Sequence, residues 1–246
     1  MFQNAFDMIF IINLDDRPDK WDRMVERLKA LGADNYERVS AIKRPLSEFP
    51  YTVYSGMSTK KLADDKIEQY CAGQSGCKMS HLKALKLARS RNYRAVLILE
   101  DDCEFLAGLA EAFPVAWQGL GTVDWDMFYL GGYHRSRRKA RRFMPGLLNI
   151  RCTYQAHAYA VARQAFDAII QKLEGSDKEV DVVYADDVHP FMNCYSLHPG
   201  VAVQEVGVSD IKQTLCDHRR YGKNRFIENR AITFLRNVVS GFKNRL

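Results

Sequence analysis

Short apolar runs bounded by charged or turn-forming residues recur along the chain and predict the strands of a sheet. Ala95–Leu99 is continuously apolar and Phe6–Leu14 is nearly so, which is typical of strands buried on both faces. Further strands are predicted from shorter or weaker runs, at Tyr36–Ala41, Trp125–Leu130, Thr153–Val161 and Gly200–Val208.

Helical patterns fall between these strands. Asp15–Pro18 supplies an acidic cap and an early proline, and apolar residues then recur at helical spacing as far as Gly32. A second helix is predicted to open at Gly73–Gly76, which would put Ser80 and His81 in its first turns, near the positive end of the helix dipole. Other helices are predicted at Phe105–Trp117, Arg163–Leu173 and near Val180–Val188. The strand–helix–strand order predicts an α/β fold with a mixed, mainly parallel sheet flanked by helices.

The composition is that of an ordinary globular protein. The chain has 246 residues, of which 47% are apolar and 27% charged, and no apolar run is long enough to span a bilayer. Met8–Leu14 lacks a basic leader, so it is interpreted as a first strand rather than a signal peptide. Six scattered cysteines without a Cys-x-x-Cys pair argue against zinc and favour a reduced, cytoplasmic setting.

Positive charge is concentrated in two segments. The net charge is +6, six of the eight residues Arg135–Arg142 are Lys or Arg, and the tail after Ile211 is also basic. Within Arg225–Leu246 apolar residues recur at helical spacing, which predicts a basic amphipathic helix. These segments fit an anionic partner, either a phosphorylated glycan or the inner face of a membrane; a solvated loop and a helix packed on the domain are the alternatives.

The predicted organisation is a single domain with a C-terminal appendage. We predict an α/β domain over residues 1–210 and a basic amphipathic helical tail over residues 211–246. The excursion Arg44–Gln69, rich in Pro, Ser and Gly, is interpreted as a loop over the site. Nucleic acid is not an expected partner, because the chain has no recognisable nucleic-acid module and no aromatic residues interleave with the basic run.

The candidate chemistry centres on the acidic triplet that follows the central apolar strand. Glu100, Asp101 and Asp102 stand where open α/β sheets bind ligands, at the carboxyl end of a strand. Crowded carboxylates raise one another's pKa unless a cation lies between them, and their hard oxygens suit Mg²⁺ or Mn²⁺. A solvated acidic turn is the alternative interpretation.

A second acidic group follows later in the chain. Asp181, Asp186 and Asp187 lie on or beside a predicted helix start, and they are candidates for a general base or for contacts with sugar hydroxyls. Plain helix capping is the alternative.

Three motifs in fixed order carry a family resemblance. They are Ile12-Asn13-Leu14-x-x-Arg17, Gly76-Cys77-x-x-Ser80-His81 and Leu97-Ile98-Leu99-Glu100-Asp101-Asp102. In this order and spacing the chain resembles glycosyltransferase family twenty-five, which includes lipooligosaccharide galactosyltransferases and procollagen galactosyltransferases. The resemblance is best over Met8–Gly132 and continues more weakly through Asp181 to the segment Gln204…Ser209-Asp210-Ile211.

The resemblance implies a GT-A-like fold and a reaction with a UDP-sugar. By this resemblance Glu100 and Asp102 hold Mn²⁺ or Mg²⁺ on the donor diphosphate, with Asp101 between them. Contacts with the nucleotide are implied for the remaining motif residues, Asn13, Leu14, Arg17, Ser80 and His81. The family's association with inversion requires a base, for which Asp181 comes first, then Asp186 and Asp187, with His157 and Glu104 as further candidates.

The resulting hypothesis is a metal-dependent transferase that moves a hexose, by preference galactose, from a UDP-sugar to a hydroxyl of a surface-glycan precursor. Two alternatives remain. One is a catalytically silent sugar-nucleotide-binding or scaffold member of the same fold. The other is a nucleotidyltransferase, although Asn13–Arg17 stands where such enzymes carry a glycine-rich phosphate loop.

Overall fold

An eight-stranded mixed sheet with helices on both faces forms the body of the protein. The computed structural model describes residues 1–44, 64–134, 140–211 and 215–217. The strands are β1 (Met8–Asn13), β2 (Tyr36–Ser40), β3 (Ala95–Glu100), β4 (Cys103–Phe105), β5 (Met127–Tyr129), β6 (Tyr133–His134), β7 (Ala140–Met144), β8 (Leu147–Ile150), β9 (Thr153–Tyr154), β10 (Ala158–Ala162), β11 (Cys194–Leu197), β12 (Ala202–Gln204), β13 (Gly207–Val208) and β14 (Leu215–Cys216). The helices are α1 (Pro18–Ala30), α2 (Asp64–Ser90), α3 (Leu109–Leu120), α4 (Phe166–Glu174) and α5 (Val180–Val183), the last continued by a π-helical turn at Tyr184–Val188.

The main sheet has the strand order β2-β1-β3-β10-β5-β11-β8-β7. β1 pairs in parallel with β2 and β3, and β5 pairs in parallel with β11. β10 is inserted antiparallel between β3 and β5, and β8 runs antiparallel to both of its neighbours. Most strands therefore point the same way, and the predicted α/β class with a mixed, mainly parallel sheet is confirmed.

The core lies in two layers, one on each face of the sheet, because successive strand residues point to opposite sides. Ile98 of β3 faces the layer formed with α2, α4 and α5, whereas Leu97 faces the layer formed with α1 and α3. Both residues are fully buried, as are Leu85 of α2 and Phe113 of α3. Burial on both faces explains why β1 and β3 are continuously apolar in sequence.

The predicted start of the second helix is wrong. α2 begins at Asp64, so Ser80 and His81 lie in its middle and not in its first turns. Gly73 and Gly76 suggested a helix boundary in the sequence. In the structure, Gly76 lies inside the helix and allows another segment of backbone to pack closely against it. A Cβ built on Gly76 would lie 2.2 Å from the carbonyl oxygen of Ile42, so only glycine lets the backbone after β2 pass at this distance.

Other boundaries differ from the predictions by a few residues. The Thr153–Val161 run is divided into β9 and β10, and the Gly200–Val208 run into β12 and β13. Most of the Arg44–Gln69 excursion, residues 135–139 of the basic run and the Arg225–Leu246 tail lie outside the described residues. The domain boundary at residue 210 therefore stays a prediction. Among the residues described, no helix combines the length and apolarity needed to cross a membrane.

Candidate active site

The acidic triplet lies where the carboxyl ends of β1 and β3 meet. Parallel pairing aligns Ile12 with Glu100, so Asn13 reaches the residues that follow β3. The Asn13 side-chain amide donates to Asp101 at 2.8 Å and to the Arg17 carbonyl at 2.9 Å. Asp101 and Asn13 are both buried. The first and third sequence motifs are thus joined by one hydrogen-bonded side chain.

Glu100 is contacted differently on its two carboxylate oxygens. Oε1 lies 3.2 Å from Nε2 of His81 and 3.8 Å from Sγ of Cys77, both on α2. Oε2 accepts a hydrogen bond of 3.1 Å from the Gln204 side chain, which also reaches Asp102 at 3.5 Å. Burial alone would raise the pKa of Glu100, but the hydrogen bond and charge of His81 hold that pKa below its ordinary value.

Asp102 is the least compensated carboxylate of the cluster. Its Oδ1 atom is buried and has no hydrogen-bond partner among the residues that the structure describes. Burial, with the neighbouring charges of Glu100 and Asp101, raises the pKa of Asp102 to about 8. A buried acceptor with no donor and two flanking carboxylates suits a hard divalent cation, so the residues fit the metal that the sequence predicts.

Two cations at the start of α1 lie beside this cluster, Arg17 just before the helix and Lys20 in its first turn. Lys20 Nζ lies 3.4 Å from Asp101 and 2.6 Å from Asp210, and Arg17 Nη1 lies 2.5 Å from Asp210. Lys20 is buried, which acts to lower its pKa, yet the charges of Asp101 and Asp210 raise that pKa above its ordinary value. These two cations are suitably placed for an anionic group at the carboxyl edge of the sheet.

Asp181 joins the cluster through a strained backbone position. Gln155, between β9 and β10, has φ 71°, a value in the left-handed region that non-glycine residues rarely adopt. Its backbone N–H donates to Asp181 at 3.2 Å, and its side chain donates to Gln204 at 3.3 Å. Burial raises the pKa of Asp181, and the charge of Glu100 adds to this effect. Asp181, Gln155, Gln204 and Glu100 thus form one connected network.

The other predicted site residues make contacts outside this network. The Ser80 hydroxyl accepts from the Ile42 N–H at 2.8 Å and donates to the Gly76 carbonyl at 2.7 Å, so its hydrogen bonds connect α2 to the chain after β2. The Leu14 carbonyl accepts from Arg38 at 3.0 Å. Asp186 and Asp187 are ion-paired with Lys178, at 3.6 and 3.1 Å.

Several residues of the network were not predicted from the sequence. Lys20 and Gln155 are single polar residues in stretches whose apolar residues predicted a helix and a strand, so they attracted no functional interpretation. Gln204 appeared only in the segment where the family resemblance is weak. Cys77 offered one usable signal. It precedes His81 by four residues on a helix, and this spacing places both side chains on the same face.

This arrangement defines an α/β protein whose buried acidic cluster lies at the carboxyl edge of its sheet, the edge at which open α/β sheets bind ligands. The family model described as glycosyltransferase family 25 (LPS biosynthesis protein) matches residues 6–118. The predicted relation to this family and to procollagen galactosyltransferases is confirmed. The match includes all three motifs and ends before the region that carries Asp181 and Gln204.

Two relatives and one solved structure illustrate the similarity. Procollagen galactosyltransferase 1-A of Xenopus laevis is 28% identical over 79% of this chain and 32% of its own length. Inactive glycosyltransferase 25 family member 3 of Homo sapiens is 24% identical over 79% of this chain and 33% of its own. The chain therefore spans about a third of the curated relatives it matches. A crystal structure of a glycosyltransferase involved in glycosylation of the major capsid of PBCV-1 aligns with a TM-score of 0.45 and 9% identity, over 84% of this chain and 95% of that one.

Proposed function

We propose that this protein is a metal-dependent glycosyltransferase that moves a hexose, galactose by preference, from a UDP-sugar to a hydroxyl group of a glycan acceptor. The observation that carries the proposal is the buried Oδ1 of Asp102, which has no hydrogen-bond partner within the described part of the chain and lies beside Glu100 at the edge where Lys20 and Arg17 also lie. Carboxylates that lack a counter-charge and cations at the same edge suit a metal ion and a diphosphate together.

Glu100 and Asp102 would hold the metal ion, Mn²⁺ or Mg²⁺. When bound there, the ion supplies charge that stabilises the leaving diphosphate. Arg17 and Lys20 add positive charge at the same edge, and Asn13 fixes Asp101 through its hydrogen bond of 2.8 Å. Ordering of these groups before the reaction is the main contribution of the protein to this step.

Asp181 is the proposed general base. It belongs to the network that includes Glu100 and, among the residues with described positions, has no ion pair with lysine, unlike Asp186 and Asp187. Its pKa is raised by burial, which makes the carboxylate a better proton acceptor near neutral pH. In this role Asp181 takes the proton of the acceptor hydroxyl as the new glycosidic bond forms and the bond to the diphosphate breaks.

The test is UDP release from purified full-length chain. UDP-galactose, UDP-glucose, UDP-N-acetylglucosamine and UDP-glucuronic acid are supplied in turn, each with Mn²⁺ and with EDTA. Metal-dependent release from one donor supports the proposal and identifies the sugar. Release of pyrophosphate from a nucleoside triphosphate instead would indicate a nucleotidyltransferase.

A silent sugar-nucleotide-binding protein is the second candidate, because one relative is named inactive. Thermal stabilisation by UDP with Mn²⁺, without release from any donor or transfer to a panel of acceptors, would favour it. Absence of both binding and release would contradict the transferase and the binding protein alike.

The proposal extends to the acceptor and to the cellular location. The family description names LPS biosynthesis, which fits an acceptor attached to a membrane lipid. The basic segment Arg135–Arg142 and the tail 211–246 would then contact an anionic cytoplasmic membrane surface.

A further inference from the structure

The face of Glu100 that points away from Asp102 carries a second set of metal ligands. Nε2 of His81, Sγ of Cys77 and a carboxylate oxygen of Glu100 all lie within 4.8 Å of one another. The set mixes nitrogen, sulfur and oxygen, which differs from the all-oxygen pair of Glu100 and Asp102. Sulfur and imidazole ligands favour Zn²⁺ and similar borderline ions over Mn²⁺ and Mg²⁺.

The spacing of these atoms already approaches that of a tetrahedral centre. Zinc–ligand bonds of about 2.0–2.3 Å place neighbouring ligands of a tetrahedron roughly 3.2–3.8 Å apart. Oε1 of Glu100 is 3.2 Å from Nε2 of His81 and 3.8 Å from Sγ of Cys77. Two of the three ligand pairs therefore need little movement to accept an ion.

The second ring nitrogen of His81 is held as metal-binding histidines require. Nδ1 lies 2.8 Å from the hydroxyl of Tyr159, which in turn lies 2.9 Å from the hydroxyl of Tyr184. When Nδ1 carries the ring hydrogen and donates to Tyr159, the lone pair of Nε2 points to the side of Glu100 and Cys77. Such an outer hydrogen bond orients a histidine ligand and increases its basicity.

We propose that Cys77, His81 and Glu100 form a binding site for a thiophilic divalent cation of the Zn²⁺ class, distinct from the oxygen site of Glu100 and Asp102. Binding releases two protons to solvent, the thiol proton of Cys77 and the Nε2 proton through which His81 contacts Glu100, since both ligand atoms must be unprotonated. Cys77 and Glu100 are partly exposed, whereas His81 is fully buried. The missing Cys-x-x-Cys pair does not exclude zinc here, because the third ligand comes from β3.

The site can be tested with Co²⁺, which gives a near-ultraviolet thiolate-to-cobalt absorption band where it binds a cysteine. The EDTA-treated full-length chain is titrated with Co²⁺ and then with Zn²⁺. We expect a band that saturates at one equivalent and is removed by stoichiometric Zn²⁺. Cys77→Ser should abolish the band, and His81→Gln should weaken Co²⁺ binding by at least about 100-fold.

Cys71→Ser is the matched control, since Cys71 is a free cysteine on the same helix, one that takes no part in the triad. It should keep the band unchanged. No band in the wild-type protein, or a band that persists in Cys77→Ser, would overturn the proposal. The result does not depend on sugar transfer, so a failure of the UDP-release assay would leave it standing.

A second measurement, of thermal stability with Mn²⁺, distinguishes the two metal sites proposed at Glu100. It also shows whether the variants are folded. Mn²⁺ should raise the thermal stability of Cys77→Ser as it does that of the wild type, which also shows that the variant is folded. Asp102→Asn should lose this response to Mn²⁺ and keep the cobalt band. Loss of both responses in both variants would mean one shared site and would contradict the proposal.

Discussion

Carboxylates at the two ends of the β1–β3 pair are in opposite situations. At the amino end, Asp7 pairs with Arg94 at 2.8 Å, and burial raises the pKa of Asp7 less than the contacts with Arg94 lower it. At the carboxyl end, Asp101 and Asp102 both have raised pKa values, and that of Asp102 reaches about 8. One end is balanced in charge, and the other is not.

The difference indicates what each end is for. A balanced ion pair lowers the free energy of the folded state slightly and needs nothing further. Buried carboxylates without sufficient counter-charge raise that free energy, and such groups cluster at functional sites where a ligand supplies the charge. This contrast supports the proposal that a ligand binds at the carboxyl end.

The largest effect is expected for Asp102→Asn on turnover. The amide removes one negative charge from the proposed metal site, so Mn²⁺-dependent UDP release should fall by more than about 100-fold. The measurement is UDP release from the preferred donor at saturating Mn²⁺. Turnover within a factor of three of the wild type would refute the role of Asp102, provided the wild type is active.

The same variant should be more stable than the wild type without metal. The folded-state pKa of Asp102 is about 8, against an ordinary value of 3.8. The folded protein therefore binds the carboxyl proton more tightly than the unfolded chain does. The stabilisation from this proton is complete below pH 3.8 and is lost as the pH rises through 8. In EDTA at pH 8.5, Asp102→Asn should melt at least about 2 °C higher.

At pH 4 this difference in melting temperature should shrink, because the wild-type carboxyl group is then protonated in the folded protein. A variant that melts lower than the wild type at both pH values would show that Asp102 is compensated by groups other than a metal ion.

Lys20→Gln should weaken UDP binding by about 10- to 150-fold, because a charge-assisted contact contributes about 1.5–3 kcal/mol. Lys20 lies between Asp101 and Asp210, at the edge proposed for the diphosphate. Calorimetric titration with UDP and Mn²⁺ measures the effect. Lys29→Gln, an exposed position on the same helix, is the control and should bind UDP as the wild type does.

Asp7→Asn should have the smallest effect. It removes an ion pair whose arginine is largely exposed, so the free energy of unfolding should fall by about 1 kcal/mol or less, with no change in turnover. The lowered pKa of Asp7 means that its contribution is present above pH 3.8 and is lost as the pH falls. Urea denaturation at pH 7 and pH 3 checks both statements. A change in UDP release would contradict the conclusion that only the carboxyl end of the strand pair takes part in the reaction.

Strands that are buried on both faces were predictable because their sequences are continuously apolar. β1 and β3 were found in this way, and parallel pairing then required Asn13 and the acidic triplet to meet. The insertion of β10 between β3 and β5 was not predictable, because strand order depends on tertiary packing rather than on local pattern. The contact of Asp181 with the cluster through Gln155 depends on this insertion.

The start of α2 was missed for a related reason. Gly73 and Gly76 weaken a helix in isolation, and sequence alone does not show that a neighbouring backbone needs the space. The same holds for Lys20 and Gln204, whose roles come from partners that are 81 or more residues away in the chain, Asp101 and Glu100. The order of the motifs indicated the resemblance to a family, whereas the contacts between the site residues come from parts of the chain that are far apart in sequence.

The antiparallel insertion of β10 also governs when the protein can fold during synthesis. β5 has only β10 and β11 as neighbours in the sheet, and both are translated after it. While the ribosome is still short of residue 162, β3 presents an unpaired backbone edge and β5 has no partner at all. Such edges invite pairing with other nascent chains, so this stage is the one at which chaperones would protect the polypeptide.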